Sequence, residues 1–255
     1  MIVELLHHTP LHIAAGAIRQ CWQSQEKSDT VEEGKCIHCG TTESTYFEVG
    51  MDDEDVCTAC GSINSIKYTP KCGPNDKALI DRVGNKFKHA STLEHLNYNF
   101  DISGVSRALL QELARHRMAS PSVKSTRYTL KELKNEGPFV VYSDEDMTAS
   151  YSMERAEKYL VYTGIAAVDQ QSCLALEGLR TILSLGTPND KAKYCLPESY
   201  KTSLSWTINA RSLQNFLSLR SSKAALWEIR DLAQTIFDAL PEDHKYLFEH
   251  CIQDQ

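Results

Sequence analysis

The amino-acid sequence predicts an α+β protein carrying a small cysteine-stapled insertion, and three observations lead there. One segment alternates apolar and polar residues in the manner of a half-buried strand. Most of the second half shows helical spacing without a regular βαβ rhythm. Between them and the N-terminus lies a Gly-, Ser-, Thr- and Asp-rich stretch holding two Cys-x2-Cys-Gly pairs. The 255 residues are 42% hydrophobic and 24% charged, which excludes a disordered or collagenous chain.

In chain order, Leu11 to Trp22 places Leu11, Ala14, Ala15, Ile18 and Trp22 at helical spacing. From Ser28 to Pro74 short β-like pieces, Thr45–Val49 and Ile63–Tyr68, flank the cysteine pairs. Asp76 to Lys86 resumes helix. In Leu96-Asn-Tyr98-Asn-Phe100-Asp-Ile102 every second residue is apolar, which predicts a strand. Ser103 suits the N-cap of a helix running from Gly104 to about Arg117, with Val105, Ala108, Leu109 and Leu113 as its stripe. Pro121 is expected to end it in a Ser-rich loop, Ser120 to Arg127. Further on, a long amphipathic helix is predicted from Met153 to Leu185 and a short one near Thr187-Pro188. A strand is expected over Ser203–Thr207, then helices near Ala210–Leu219 and Lys223–Ala239.

Charge is unevenly placed. Residues 29–56 hold nine acids against Lys35 alone, whereas the whole chain carries a net −7. Residues 104–134 hold seven bases against Glu112 and Glu132. So local a basic cluster suits a small anionic ligand better than the wide basic face that DNA binding wants. The run Leu160–Val168 is too short to span a bilayer, and MIVELLHHTP lacks the basic flank and cleavage site of a secretory signal. A cytoplasmic protein with no nucleic-acid or membrane partner is expected. Nine cysteines, an odd number, argue against a disulfide framework.

Four of those cysteines carry the most specific spacing in the chain: Cys36-x2-Cys39-Gly and Cys57-x2-Cys60-Gly. Two thiolate pairs on two turns offer four tetrahedral ligands, and the Gly after each pair permits the tight turn. A structural zinc is expected, with free thiols or iron as alternatives. So small an insertion cannot bury its own core, and a metal would supply folding energy. Sulfur at all four positions leaves none open for catalysis.

The second motif is Arg115-His116-Arg117, seven residues, Ser125, then Thr126-Arg127. Cations at a helix end followed by hydroxyls can cradle a phosphate or carbonyl, although a cationic helix end by itself ordinarily just offsets the dipole. Arg-His-Arg-x7-Ser resembles the signature of the flavin-dependent thymidylate synthases (the ThyX family), and other blocks agree in order. His89-Ala-Ser91-Thr-Leu-Glu94-His95 looks like the family's block before a strand. Asn209-Ala210-Arg211-Ser212, with Asn215 and Arg220 beyond, is similar to its later segment, and Leu226-Trp227-Glu228-Ile229 to the helix that follows. The likeness covers roughly residues 1–28 and 75–240 of one domain spanning 1–255. The zinc-ribbon-like insertion at 29–74 falls outside it.

This resemblance implies a central sheet flanked by helices and synthesis of dTMP from dUMP. Methylenetetrahydrofolate would be the carbon donor, NADPH the reductant and FAD the hydride carrier, in a homotetramer with active sites at subunit interfaces. By position, Glu112, Arg115, Ser125, Thr126, Arg127 and Lys193 would hold dUMP. Arg220 would polarise the uracil, with no enzyme nucleophile. Ser91, Arg115, His116, Arg117, Val123, Asn209, Ala210, Arg211 and Asn215 match flavin contacts, with Glu94 and Cys21 nearby. Three positions depart from the commonest pattern: Val123 offers only backbone, Glu112 stands where Gln is frequent, and Lys193 replaces a more usual Arg. Cys195 lacks the context of a catalytic thiolate and is expected to be buried and structural. His7, His8 and His12 are expected to be exposed or capping, and His89 and His95 are not spaced as metal ligands. Two rival readings are a zinc-ribbon nucleic-acid-binding protein, against which the acidic ribbon argues, and a catalytically inactive nucleotide- or flavin-binding relative.

Overall fold

The computed structural model describes residues 1–42, 47–50, 54–143 and 148–253. The chain divides into two compact units: Met1–His7, Tyr98–Ile208 and Ser212–Gln255 form the larger, His8–Asn97 with Asn209–Arg211 the smaller.

Strand β1 (Ile2–His8) opens the chain and enters the sheet of the larger unit. Helix α1 (Leu11–Trp22) has the predicted bounds. Its stripe Leu11, Ala14, Ala15 and Ile18 is buried, but Trp22, expected on the same stripe, is exposed at the last turn, and Gln23 closes the helix in the left-handed conformation at φ 48°. Four short strands follow: β2 (Val31–Cys36), β3 (Phe47–Val49), β4 (Asp55–Cys57) and β5 (Ile66–Lys71). β2 and β5 are antiparallel, with Val31 opposite Lys71 and Cys36 opposite Ile66; β3 and β4 pair likewise. Of the expected β-like piece Thr45–Val49, Thr45 and Tyr46 lie outside the described residues, as do the acids Glu43, Asp52 and Asp53. The piece expected at Ile63–Tyr68 starts only at Ile66, because Ile63 bridges to Val56 instead.

The helix predicted over Asp76–Lys86 changes character midway. α2 (Pro74–Ile80) is α-helical, with Pro74 in the first turn where its missing N–H costs nothing. Asp81–Lys86 then widens into a π turn. Gly84 lies there against Leu93 of the 3-10 turn Ala90–His95, and a Cβ at Gly84 would meet the Leu93 side chain at 2.8 Å.

β6 (Asn97–Ser106) buries Tyr98, Phe100 and Ile102 as the alternation requires. It runs four residues beyond Ile102, so the predicted cap moves from Ser103 to Ser106, and α3 covers only Arg107–Leu113. The cause is a distant residue: the Glu228 carboxylate accepts from the Ser106 backbone N–H (2.7 Å) and from its hydroxyl, while Ser106 Oγ accepts from the Leu109 N–H (3.0 Å). The expected Ser-rich loop is in part strand β7 (Ala119–Val123), which pairs antiparallel with the late strand Lys201–Asn209 and sets Pro121 opposite Trp206. β7 ends the sheet, and a proline without an N–H is tolerated at an edge.

Next come α4 (Thr126–Thr129), the hairpin β8 (Val140–Tyr142) and β9 (Ala149–Tyr151), then α5 (Met153–Glu157), α6 (Ala166–Ser184) and α7 (Asn189–Ala192). The single helix expected over Met153–Leu185 is broken at Gly164, φ 79°, where Asp169 accepts from the N–H groups of Thr163 and Gly164. β10 (Lys201–Asn209), α8 (Ala210–Arg220) and α9 (Trp227–Ala239) complete the order. The sheet runs β1-β6-β10-β7. The sheet contributes the buried aromatics Tyr98, Phe100 and Trp206, and Phe216 and Phe248 pack on them, with Trp206 and Phe216 edge to face at 5.1 Å. Among the described residues no helix is long and apolar enough to cross a membrane.

Candidate active site

The larger unit gathers a polar corner from two helix ends. Arg220, the last residue of α8, is about 15% exposed. Its Nη1 donates to Glu112 Oε2 (2.7 Å), its Nη2 to the Glu112 carbonyl (3.2 Å) and its Nε to His116 Nε2 (3.0 Å). A guanidinium only donates, so His116 Nε2 must accept, and the imidazole carries its proton on Nδ1. Burial, then the positive charge of Arg220, lowers the His116 pKa to about 4, against an opposing pull from Glu112. The ring packs edge to face on Phe216 at 5.1 Å, which ties the corner to the core. Arg115 stands 3.7 Å from the same Glu112 carboxylate and is largely exposed. Glu112 thus faces two arginines, and Arg220 keeps two of its five N–H groups for a further acceptor.

The remaining anion-directed residues lie elsewhere in this unit. α4 packs on α7, and Asn189 Nδ2 donates to the Arg127 carbonyl (3.0 Å). Lys193 directly follows α7 and is half-buried. Ser125 and Arg127 are exposed, while Thr126 is buried, which leaves it a packing or backbone contribution. Arg117 and Asn215 are exposed, and Val123 faces Leu204 across the β7–β10 ladder.

Ser91, Asn209, Ala210 and Arg211 belong to the smaller unit. Ala210 is buried and its N–H donates to the Leu96 carbonyl (2.8 Å). Arg211 Nη1 lies 2.6 Å from Glu94 Oε1. Ser91 and Arg211 line a cleft of about 500 Å³ together with Cys21, Trp22, Lys88 and His89.

In the same unit the four motif cysteines converge, with all sulfurs within 4.8 Å of one another. Cys36 and Cys60 are 3.7 Å apart, Cys39 and Cys57 3.6 Å. Zn–S bonds of about 2.3 Å in a tetrahedron set sulfur–sulfur edges of about 3.8 Å, so the donor set fits such an ion. Gly40 and Gly61 both take left-handed backbone, φ 75° and 74°, and return their N–H groups to Cys36 and Cys57. A hydrogen bond from the Cys39 N–H, then the Ser65 hydroxyl, lowers Cys36 to about 5.

One expectation needs correction. Cys195 is exposed, not buried, because it ends a 3-10 turn at the surface. His116 engages Arg220 through Nε2, so only its Nδ1–H remains for a ligand. The sequence reading also missed Glu228. Its signal was present, since Glu228 stands four residues before Leu232 on the buried stripe of α9.

A cation pinned between a carboxylate and a neutral imidazole, on an α+β frame with further exposed cations, suits an enzyme that handles an anionic substrate. Residues 4–244 match the family model described as thymidylate synthase complementing protein. Flavin-dependent thymidylate synthases of Wolinella succinogenes and Campylobacter jejuni strain RM1221 are each 54% identical to this chain; the first match covers 100% of both chains, the second 99% of this chain and 98% of the relative. The crystal structure of Thymidylate Synthase X from Helicobacter pylori with FAD and dUMP superposes with a TM-score of 0.77 at 47% identity, covering 100% of both chains. The chain belongs to this family, the flavin-dependent thymidylate synthases.

Proposed function

We propose that this enzyme makes dTMP from dUMP, with methylenetetrahydrofolate as carbon donor and NADPH as reductant, and that Arg220 polarises the uracil. The pinned guanidinium carries the reading. Its geometry is fixed before substrate arrives, so stabilising charge on the uracil N3/O2 side costs no reorganisation. Withdrawing charge there leaves C5 electron-rich without an enzyme nucleophile. The neutral His116 and the shared Glu112 hold Arg220 in place, and Glu112 with Arg115 also borders the nucleotide. Ser125, Thr126, Arg127 and Lys193 hold its phosphate, Lys193 as a point charge.

FAD supplies hydride transfer when bound. Ser91, Asn209, Ala210 and Arg211 of the smaller unit, and Arg115, His116, Arg117, Val123 and Asn215 of the larger, are its contacts. The cleft at Ser91 and Arg211 supports that assignment. Active sites at the subunit interfaces of a homotetramer would explain why these residues are so dispersed. Large apolar residues exposed on the single chain, Met118, Tyr194 and Leu185 among them, fit partner surfaces. The enzyme works in the cytoplasm, with neither nucleic acid nor membrane as a partner. Residues 29–74 are an insertion within the domain 1–255, in which Cys36, Cys39, Cys57 and Cys60 hold a structural zinc.

The test is NADPH oxidation by the FAD-loaded protein with and without dUMP, followed by a dTMP assay. Stimulation by dUMP with dTMP formed bears the proposal out. Oxidation indifferent to dUMP, with no dTMP, would favour the inactive flavin-binding relative.

A further inference from the structure

Helix α3 is only seven residues long, and its far end carries Glu112, with His116 just beyond, to the Arg220 corner. The first four N–H groups of any helix lack partners within it. Here all four are taken. Ser106 N–H donates to Glu228 Oε1 (2.7 Å), Arg107 N–H to the Tyr200 carbonyl (3.1 Å), Ala108 N–H to the Glu198 carbonyl (3.0 Å) and Leu109 N–H to Ser106 Oγ (3.0 Å). Only Glu228 brings a carboxylate to this set. It is 3% exposed, and its second oxygen accepts from the Ser106 hydroxyl. Among the described residues no cation pairs with it. It sits instead at the positive ends of two helices: α3, through Ser106, and α9, of whose first turn it is part. Carbonyls serve the second and third N–H groups, and an uncharged side chain could serve the first. A buried carboxylate is the costlier choice, and what it adds is a grip on one residue from both of its oxygens.

We propose that Glu228 is a positioning residue for the reaction: through Ser106 it fixes where α3 begins, and so places Glu112 and His116 against Arg220. The inference rests on the proposed role of Arg220 in dTMP formation. Six residues, about 9 Å of helix, separate Ser106 from Glu112. Leu109 and Leu113, both buried, keep so short a rod from turning about its axis. A shift at its start is therefore carried to its end, where Arg220 donates to the Glu112 carboxylate and carbonyl and to His116. A misplacement of about 1 Å at a group that acts on the substrate can cost about 10²-fold in rate. Glu228 touches neither Glu112 nor Arg220 and acts only through the helix it anchors.

The test compares Glu228→Gln, Ser106→Ala and the two combined with Ile236→Val, which thins the core eight residues further along α9. Two quantities are read on the FAD-loaded enzyme: the kinetics of dTMP formation, and the titration of the His116 ring protons by NMR. Glu228→Gln keeps the shape but turns an NH2 group toward one of the Ser106 donors. It should lower kcat by about 10- to 10²-fold with less change in the KM for dUMP. His116 should titrate higher than in the unaltered enzyme, because its acceptor nitrogen no longer meets Arg220 Nε. The combined variant should lose no more than the worse single one, since both act at one contact. Ile236→Val should lose stability and move neither readout. If Glu228→Gln leaves kcat and His116 where Ile236→Val leaves them, the proposal is overturned and Glu228 serves only the fold. Additive losses in the combined variant would overturn it too. Should Glu228→Gln fail to fold, Ser106→Ala removes the same contact from the other side and is judged by the same two readouts. An unaltered protein that makes no dTMP refutes the proposed reaction, and the His116 titration still decides whether Glu228 holds the corner.

Discussion

Around Arg220 each polar group is held from several directions by parts of the chain more than a hundred residues apart, and the aromatic residues behind it are fully buried. Along the described part of 31–71 the only buried hydrophobic side chains are Cys36 and Cys57. One region is positioned by a core and long-range hydrogen bonds, the other by two short antiparallel ladders, four converging sulfurs that could hold an ion, and its attachment at the base. That attachment is polar. Asp76 is fully buried and accepts from Arg19, Ser28 (2.6 Å) and Thr30 (2.8 Å), while Asp29 accepts from the Asn75 and Asp76 N–H groups at the start of α2. A ribbon without a core can be held in register only if both its tip and its base are tied.

The largest expected effect is therefore at the base. Asp76→Asn would leave the Arg19 guanidinium buried beside a neutral group, at a cost of about 3–5 kcal/mol. Urea unfolding would measure it, and a loss under about 1 kcal/mol would show that the pair is not what anchors the ribbon. Burial alone would raise the Asp76 pKa, but hydrogen bonds from Ser28, Thr30 and Arg19 outweigh it and hold the carboxyl below its ordinary range. The stabilisation is complete above the ordinary carboxylate pKa, about 4, and is lost as pH falls through the lowered value. Asp76→Asn should accordingly flatten the acid side of the stability curve.

Next in size is the corner itself. Arg220→Ala should reduce dTMP formation by about 10²- to 10³-fold, the usual consequence of removing one fixed donor from a developing charge. Far-UV circular dichroism should not change. Arg220→Lys should recover little, since one ammonium cannot reach both Glu112 and His116 as the fork does. Recovery to near the original rate would mean that charge alone, without geometry, suffices.

A smaller effect belongs to the ribbon tip. Cys36→Ser with Cys39→Ser should abolish stoichiometric zinc, measured by elemental mass spectrometry. It should lower the melting temperature by about 2–4 °C for each kcal/mol lost and leave turnover in the folded fraction as it was. Cys72→Ser, buried but outside the cluster, should keep the metal. A folded, metal-free protein with no activity would break the comparison, because the ribbon would then serve catalysis and not only its own fold.

The same contrast separates what could be read from the sequence. The cysteine cluster, the stripe of α1 and the alternation of Tyr98, Phe100 and Ile102 are local patterns, and they were legible. Ser106 as cap was not, because it depends on a carboxylate 122 residues away. β7 reads as loop because Pro121 and its serines resemble a turn; only its place at the sheet edge makes it a strand. Within the π turn Gly84 packs against Leu93 with no room for a Cβ, a contact no periodicity reveals. At the site, Arg115, His116 and Arg220 were singled out through family likeness, while the His116–Arg220 hydrogen bond is a fact of packing.

The smallest and most particular prediction concerns His116. Its folded pKa of about 4 lies below the unfolded value near 6.5. Between these values the unfolded chain takes up a proton that the folded one refuses, so stability should decline as pH falls across that window and be indifferent to His116 above it. Protonation would place an imidazolium against the Arg220 guanidinium and remove the acceptor for Arg220 Nε, loosening the group proposed to polarise the uracil. Catalysis should thus hold down through pH 6 and fail toward 4, a limb that His116→Gln, which keeps an acceptor oxygen, should weaken. Titration of the ring protons by NMR decides the matter: a His116 that titrates near 6.5 in the folded enzyme is not accepting a hydrogen bond from Arg220, and the pinned-cation account of the corner fails with it.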